Sequence, residues 1–237
     1  MDKVLVIIPA YNEEENIERV VTGLIKNYPQ YDYVVVNDGS KDNTLKICKE
    51  KNFNCIDLPV NLGLAGAFQA GMKYAYRMGY DYAIQFDADG QHRAEYIAPI
   101  LERMKEGYDI VIGSRFVTEK KPFSMRMLGS RLISFAIRLT TGKCIKDPTS
   151  GMRMFDRLTI KECAMNINYG PEPDTVSYLI KNGAKVSEVQ VEMDERMFGE
   201  SYLNAINSIK YMLRMMMSIV FIQNFRKRDK KYSTEER

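Results

Sequence analysis

The sequence predicts an α/β domain built on a mainly parallel sheet with helices on both faces, followed by a C-terminal amphipathic helix. Three observations predict it. Short apolar runs such as Val4-Leu5-Val6-Ile7-Ile8 alternate with helical patterns through the first half of the chain, as in a sheet buried on both faces. The stretches between the runs are long enough for right-handed crossover helices. Polar loops follow the runs, most clearly Asp87-Ala88-Asp89 after Tyr82–Phe86. Open α/β sheets bind ligands at that edge.

Val4–Ile8 reads as the first strand. Asn12 stands three before Glu15, a capping-box start. Ile17, Val20, Val21, Leu24 and Ile25 then fall on one helical face. Tyr33–Val36 is the second strand, and Asn37-Asp38-Gly39-Ser40 turns the chain into a helix over 43–51. Asn54–Leu58 is a third strand. Asn61–Gly66 is a structural loop before a helix over Ala67–Met78. Tyr82–Phe86 is the fourth strand, Tyr96–Met104 a helix and Asp109–Ile112 a fifth strand. Further on, Leu128–Leu139 reads as a helix, Asp147–Gly151 as a turn, Thr175–Lys181 as a helix and Val186–Val191 as a strand. Leu203–Phe225 is a long helix, and the basic run Arg226–Lys231 leads into a disordered tail. Residues 1–202 form the catalytic unit in this reading, and 203–237 its extension.

Composition narrows the classes. With 45% hydrophobic and 27% charged residues the chain is of the soluble globular type. A net charge of +3 is too small to imply nucleic acid. Cys48, Cys55, Cys144 and Cys163 are scattered without metal-site spacing, which fits a reducing cytoplasm. The single histidine, His92, excludes multi-histidine metal sites and reads as an exposed side chain. The five-residue apolar start is no signal peptide. No run of 18 apolar residues offers a spanning helix.

The strand-end loops carry the chemistry. Pro9, Tyr11 and Glu13 follow the first strand, Asp38 the second, Asp87, Asp89 and Gln91 the fourth, and Arg115 the fifth. Two carboxylates two apart on an extended segment point the same way. Mg²⁺ or Mn²⁺ takes one or two carboxylates plus substrate phosphates. Asp-Ala-Asp-Gly is also good turn chemistry. The edge as a whole suits a nucleotide whose base is read by an aspartate and whose diphosphate is held by a metal.

The same stretches resemble a known family. Ile8-Pro9-Ala10-Tyr11-Asn12-Glu13-Glu14, Val36-Asn37-Asp38-Gly39-Ser40, Phe86-Asp87-Ala88-Asp89-Gly90-Gln91-His92 and Ile112-Gly113-Ser114-Arg115-Phe116 are similar to the family 2 glycosyltransferases. The branch they resemble most holds the dolichyl-phosphate mannose synthases and bacterial polyprenyl-phosphate sugar transferases. The likeness continues in register through Asp147–Arg153 and Glu188–Val191 to Arg196–Ser201. It implies a GT-A, Rossmann-like fold, a nucleotide-sugar donor and inverting transfer. It implies that Asp38 accepts from the base, with Pro9, Tyr11 and Glu13 around the nucleoside. Asp87, Ala88 and Asp89 match the D-x-D motif, with Asp89 and Gln91 as metal ligands beside Asp87. Arg115 and Arg196 match positions that hold phosphates or the acceptor. Two lysines of the mannose synthases, near Glu172–Asp174 and after the Gly-x-Ser element, are absent. That favours a UDP-sugar over GDP-mannose, and it places Asp174 or Glu172 where a general base could stand. Asp147 either caps its turn or faces the acceptor.

The resemblance implies polyprenyl phosphate as acceptor. The alternatives are a glycan hydroxyl in surface-polysaccharide assembly, or a non-catalytic nucleotide-sugar-binding subunit. The last helix carries an apolar stripe from Ile206 to Phe221 ahead of the basic run. Such a stripe packs on a core or a partner, or lies on an anionic membrane. Leu128–Leu139 offers a second interfacial face. The expectation is a peripheral protein at the inner face of the cell membrane, with the membrane surface or a small membrane protein as partner.

Overall fold

The computed structural model describes residues 2–165, 170–194, 205–223 and 226. Seven strands form one sheet: β1 (Val4–Ala10), β2 (Asp32–Asn37), β3 (Cys55–Asp57), β4 (Tyr82–Gln85), β5 (Ile110–Ser114), β6 (Arg153–Asp156) and β7 (Val186–Gln190). Their order is β3-β2-β1-β4-β6-β5-β7. All neighbours are parallel except β6, which runs against both β4 and β5. This GT-A arrangement bears out the expected α/β class.

The alternation along β1 explains the two layers. Leu5 and Ile7 face one side, Val4, Val6 and Ile8 the other, and all five are buried. The second side meets α1 (Ile17–Asn27) through Ile17, Val21 and Leu24, and α4 (Ile97–Lys105) through Ile97, Ile100 and Met104. The first side meets α3 (Gly63–Met78) through Phe68 and Met72, α5 (Met125–Thr141) through Ile133 and Ile137, and α6 (Arg157–Met165) through Ile160. Each such side chain contributes roughly 1.5–3 kcal/mol by leaving water. A short α2 (Thr44–Glu50) joins β2 to β3 and contributes the buried Cys48.

The helix α5 starts at Ser124, whose hydroxyl accepts the Met127 N–H, and stops at Gly142 in the left-handed region. It packs on α8 (Ala205–Met217), which continues as a π-helical turn over Ser218–Ile222. The approach is close at Gly129, where a Cβ would fall on the sulfur of Met212. Met215 and Ile219 enter the main buried cluster. α8 and its turn therefore join the core of the larger unit along one face.

Several expectations need correction. Asn12 does not start a helix. It takes φ 56°, its side chain accepts the Lys41 N–H, and α1 begins at Ile17 after Asn16. α3 starts at Gly63, ahead of the expected Ala67. β6 and α6 were not anticipated. The ends expected at Leu203 and Phe225, and the basic tail beyond Arg226, lie outside the described residues. Among the described residues no helix is long and apolar enough to cross a membrane.

Candidate active site

β2, β1 and β4 lie side by side, so the loops after them open on one edge. Tyr11 is 42% exposed there and offers an aromatic face. Glu13 is half-buried. Its N–H donates to the Thr44 hydroxyl and its carboxylate accepts from Asn16 Nδ2. Pro9 pairs with Val36 inside the sheet. Asp38 is 3% exposed. Its N–H donates to Ala10 O at 2.9 Å, and its Oδ1 accepts the Leu62 N–H at 2.7 Å. Asp38 thus ties three loops together. A carboxylate has acceptor sites beyond that one bond.

The pair Asp87 and Asp89 does not sit on extended chain. β4 ends at Gln85, and the carboxylates occupy a turn through Ala88 and Gly90. Gly90 has φ 78°, a conformation natural to glycine. The two carboxylates are consequently held differently. Asp87 Oδ1 accepts from Gln85 Nε2 at 3.1 Å. Asp89 Oδ1 accepts the Gln91 N–H at 3.0 Å, closing the turn. Ala88 is buried. Gln91 donates from Nε2 to Asp194 O, and Asp194 N–H donates back to Gln91 O.

Three neighbours of this turn escaped the sequence reading. His92, expected on the surface, is 7% exposed and accepts the Asp87 N–H. Arg19 of α1 lies over Gly90, so a Cβ there would overlap its guanidinium. Gly151 backs the turn from the other side, and a Cβ there would come 2.7 Å from Asp87 Oδ2. None of these contacts leaves a trace in spacing or periodicity. Strand pairing and the packing of α1 on the sheet bring them together.

Arg115 leaves the end of β5 and meets Asp147. Its Nε and Nη2 donate to the two carboxylate oxygens at 2.7 and 3.0 Å, and its backbone N–H donates as well. Asp147 is fully buried. Its own N–H donates to Glu188. The expected turn-capping of Asp147 is present through Thr149, whose hydroxyl donates to it.

Behind the turn lies Arg153, fully buried at the start of β6. Nε and Nη2 donate to the carbonyls of Ser150 and Pro148, while Nη1 lacks a partner among the described residues. Burial pushes its pKa down, and the nearby Tyr211, Asp147, Glu172 and Asp174 counter that. Glu172 and Asp174 stand at the start of α7 (Pro173–Lys181). Arg214 donates to both Glu172 oxygens, yet burial holds that carboxyl above the usual range. Asp174 accepts from the Thr175 N–H and, at 2.6 Å, from the Ser218 hydroxyl. The expected base position is thus engaged in joining α7 to the turn after α8. Arg196 lies outside the described residues.

A cleft of about 600 Å³ opens beside Arg115, lined by Phe116, Lys120, Lys121, Arg131, Ile145 and Lys146 among others. Three of its cations are anchored by neutral oxygens. Lys121 donates to Ser130 Oγ, Arg131 to Lys121 O and Lys146 to Val117 O. Burial holds the Lys121 ammonium below its ordinary pKa.

Asp38, the carboxylate turn after β4 and Arg115 at the end of β5 thus gather along one edge of an α/β sheet, as in an enzyme that binds its substrates at the strand ends. Residues 5–163 match the model of Glycosyl transferase family 2. The chain is 33% identical over 216 residues to the UDP-N-acetylglucosamine–dolichyl-phosphate N-acetylglucosaminyltransferase of Methanococcus voltae, covering 81% of this chain and 86% of that protein. It is 30% identical over 226 residues to the polyprenol monophosphomannose synthase of Mycolicibacterium smegmatis, covering 90% and 85%. Among solved structures, glucosyl-3-phosphoglycerate synthase from Mycobacterium tuberculosis with Mn²⁺, UDP and glucosyl-3-phosphoglycerate superposes with a TM-score of 0.63 at 19% identity. The match covers 94% of this chain and 80% of that one. The chain belongs to glycosyltransferase family 2, and it is a glycosyltransferase with a GT-A fold.

The Arg115–Asp147 pair yields a direct prediction. Arg115→Met leaves a fully buried carboxylate without its cation, which costs roughly 3 kcal/mol or more. Urea unfolding of the variant should show that loss. A change below about 1 kcal/mol, the scale of an exposed ion pair, would contradict the assignment.

Proposed function

We propose that this chain transfers a sugar from a UDP-sugar to a polyprenyl phosphate, with inversion, at the inner face of the cell membrane. The observation that carries the reading is the carboxylate turn at the end of β4, with Asp38 on the same edge of the sheet. Asp38 reads the base. Pro9, Tyr11 and Glu13 surround the nucleoside, with the Tyr11 ring free to stack. Asp89 and Gln91, with Asp87 beside them, hold Mg²⁺ or Mn²⁺. Among the described residues no group of three or more His, Cys, Asp or Glu is gathered for a metal. A hard ion that shares its ligands with a diphosphate needs fewer protein carboxylates than such a cage, so the residues present fit it. When bound, the ion supplies Lewis-acid stabilisation of the departing diphosphate.

The chain's own side chains do the rest. Asp147 takes Nε and Nη2 of Arg115 and fixes the guanidinium plane. Nη1 is then the donor that faces a phosphate. Arg196 is assigned to the same anionic substrates from its motif alone. A phosphate acceptor is already an anion and requires no base, which agrees with Asp174 being held by Ser218 and Thr175. The cleft with Lys121, Arg131 and Lys146 suits an acidic acceptor head. The relatives' names, which carry dolichyl phosphate and polyprenol monophosphate sugars, support the same acceptor class.

The surface supports the location. Leu128, Leu132, Phe135 and Leu139 form an exposed stripe along α5, with Phe123 93% exposed ahead of it. Leu213, Met217 and Phe221 add a second exposed stripe on the packed helix α8 and its turn. Arg131, Arg138 and Arg214 border these stripes, the pattern of an interfacial helix on anionic lipid.

Two experiments test the proposal. The protein is incubated with Mn²⁺ and UDP- or GDP-sugars, with and without undecaprenyl phosphate, and nucleoside diphosphate release is followed. Release with a UDP-sugar and lipid phosphate is expected, and Asp89→Ala should lose it along with metal-dependent donor binding. Full activity of that variant sinks the metal assignment. In the second, flotation with vesicles containing anionic lipid should recover the native chain with the lipid, while Leu132→Glu with Phe135→Glu stays in the soluble fraction. Equal flotation of both would show that the α5 stripe does not face the membrane.

A further inference from the structure

The turn from Asp87 to Gln91 lies beyond the end of β4, so the sheet does not hold it. Behind it stands His92. The ring is almost wholly buried and packs edge-to-face on Phe86, with centroids 5.4 Å apart. Its backbone is fixed by an isolated antiparallel bridge to Met193. Nδ1 accepts the Asp87 N–H at 2.9 Å. An accepting Nδ1 in a neutral ring puts the proton on Nε2. Nε2 stands 3.5 Å from Asp87 Oδ2, within reach of its charge but too far for a good hydrogen bond. Gly151 closes the third side, since a Cβ there would come 3.3 Å from His92 Cε1 and 2.7 Å from Asp87 Oδ2.

We propose that His92 is a positioning residue for the donor site, acting through Asp87. The ring holds the backbone of Asp87 by one nitrogen and faces its carboxylate with the other. It thereby fixes the direction in which the turn presents Asp89 and Gln91 to an incoming diphosphate. His92 itself touches neither donor nor acceptor. Groups behind a metal ligand that fix its orientation commonly change metal affinity by about 10- to 100-fold when removed. The proposal rests on the reading of this turn as the metal–diphosphate site.

The side chain's two contributions, acceptor and volume, can be separated. His92→Asn places an amide oxygen close to where Nδ1 stood. His92→Phe fills the volume and offers no acceptor, and His92→Ala removes both. Mn²⁺ binding in the presence of UDP, read from the free-ion EPR signal, is compared across the native chain and the variants. Circular dichroism and thermal unfolding identify the variants that fold. The native chain should bind, and the Asn variant should stay within about threefold of it, while Phe and Ala weaken binding by about tenfold or more. Packing alone predicts the reverse order, with Phe retaining affinity and Asn losing it. That order, or equal affinity in all folded variants, overturns the positioning role while leaving the donor site in place. A native chain that binds no Mn²⁺ with UDP overturns the donor-site reading and this proposal together.

Discussion

One antiparallel strand governs the geometry of the site. β6 enters the sheet between β4 and β5 and runs against both. It must therefore begin at the edge where its neighbours end. The turn that leads into it, from Asp147 to Met152, is delivered to the ligand-binding edge of the sheet. Asp147 then meets Arg115 at the end of β5, and Gly151 meets Asp87 beyond the end of β4. Arg153, the first residue of the strand, is sealed behind them with carbonyls of its own turn as acceptors. A parallel strand in that slot would end at this edge, and the turn leading into it would lie at the far one.

Much of the fold was legible because parallel strands buried on both faces need continuous apolar runs. Val4–Ile8 and Tyr33–Val36 are such runs, and the stripe from Ile17 to Ile25 has the period of a half-buried helix. β6 was not legible. Arg153-Met154-Phe155-Asp156 is short, begins with a charge and follows a Pro-Gly turn. Nothing local marks it as the centre of a sheet, and its burial is set by strands far away in sequence. The Asn12 start failed for a related reason. Its side chain finds the Lys41 N–H on the neighbouring loop, and this contact outweighs the local cap.

The site divides in the same way. Residue types and their place after strands singled out Asp38, Asp87, Asp89 and Arg115 as candidates. Their partners could not be read, because they come from other strand ends or from α1. His92 is the clearest case. A lone histidine beside an arginine reads as surface, yet Phe86, Asp87 and Gly151 enclose it. Farther out, α8 and its turn show one face to Glu172 and Asp174 and the other to solvent. Arg214 and Ser218 make the inward contacts, while Leu213, Met217 and Phe221 stay exposed. The apolar surface and the contacts to the start of α7 therefore lie on different faces of one helical segment.

All of this depends on whether the edge beyond β4 holds a metal and a diphosphate together. A crystal structure with UDP and Mn²⁺, with anomalous data collected at the manganese edge, tests it most directly. The account predicts one anomalous peak in coordination contact with Asp89 and with oxygens of the diphosphate, and the uracil ring against Asp38. UDP bound on another face, or manganese located away from the Asp87–Gln91 turn, would contradict it.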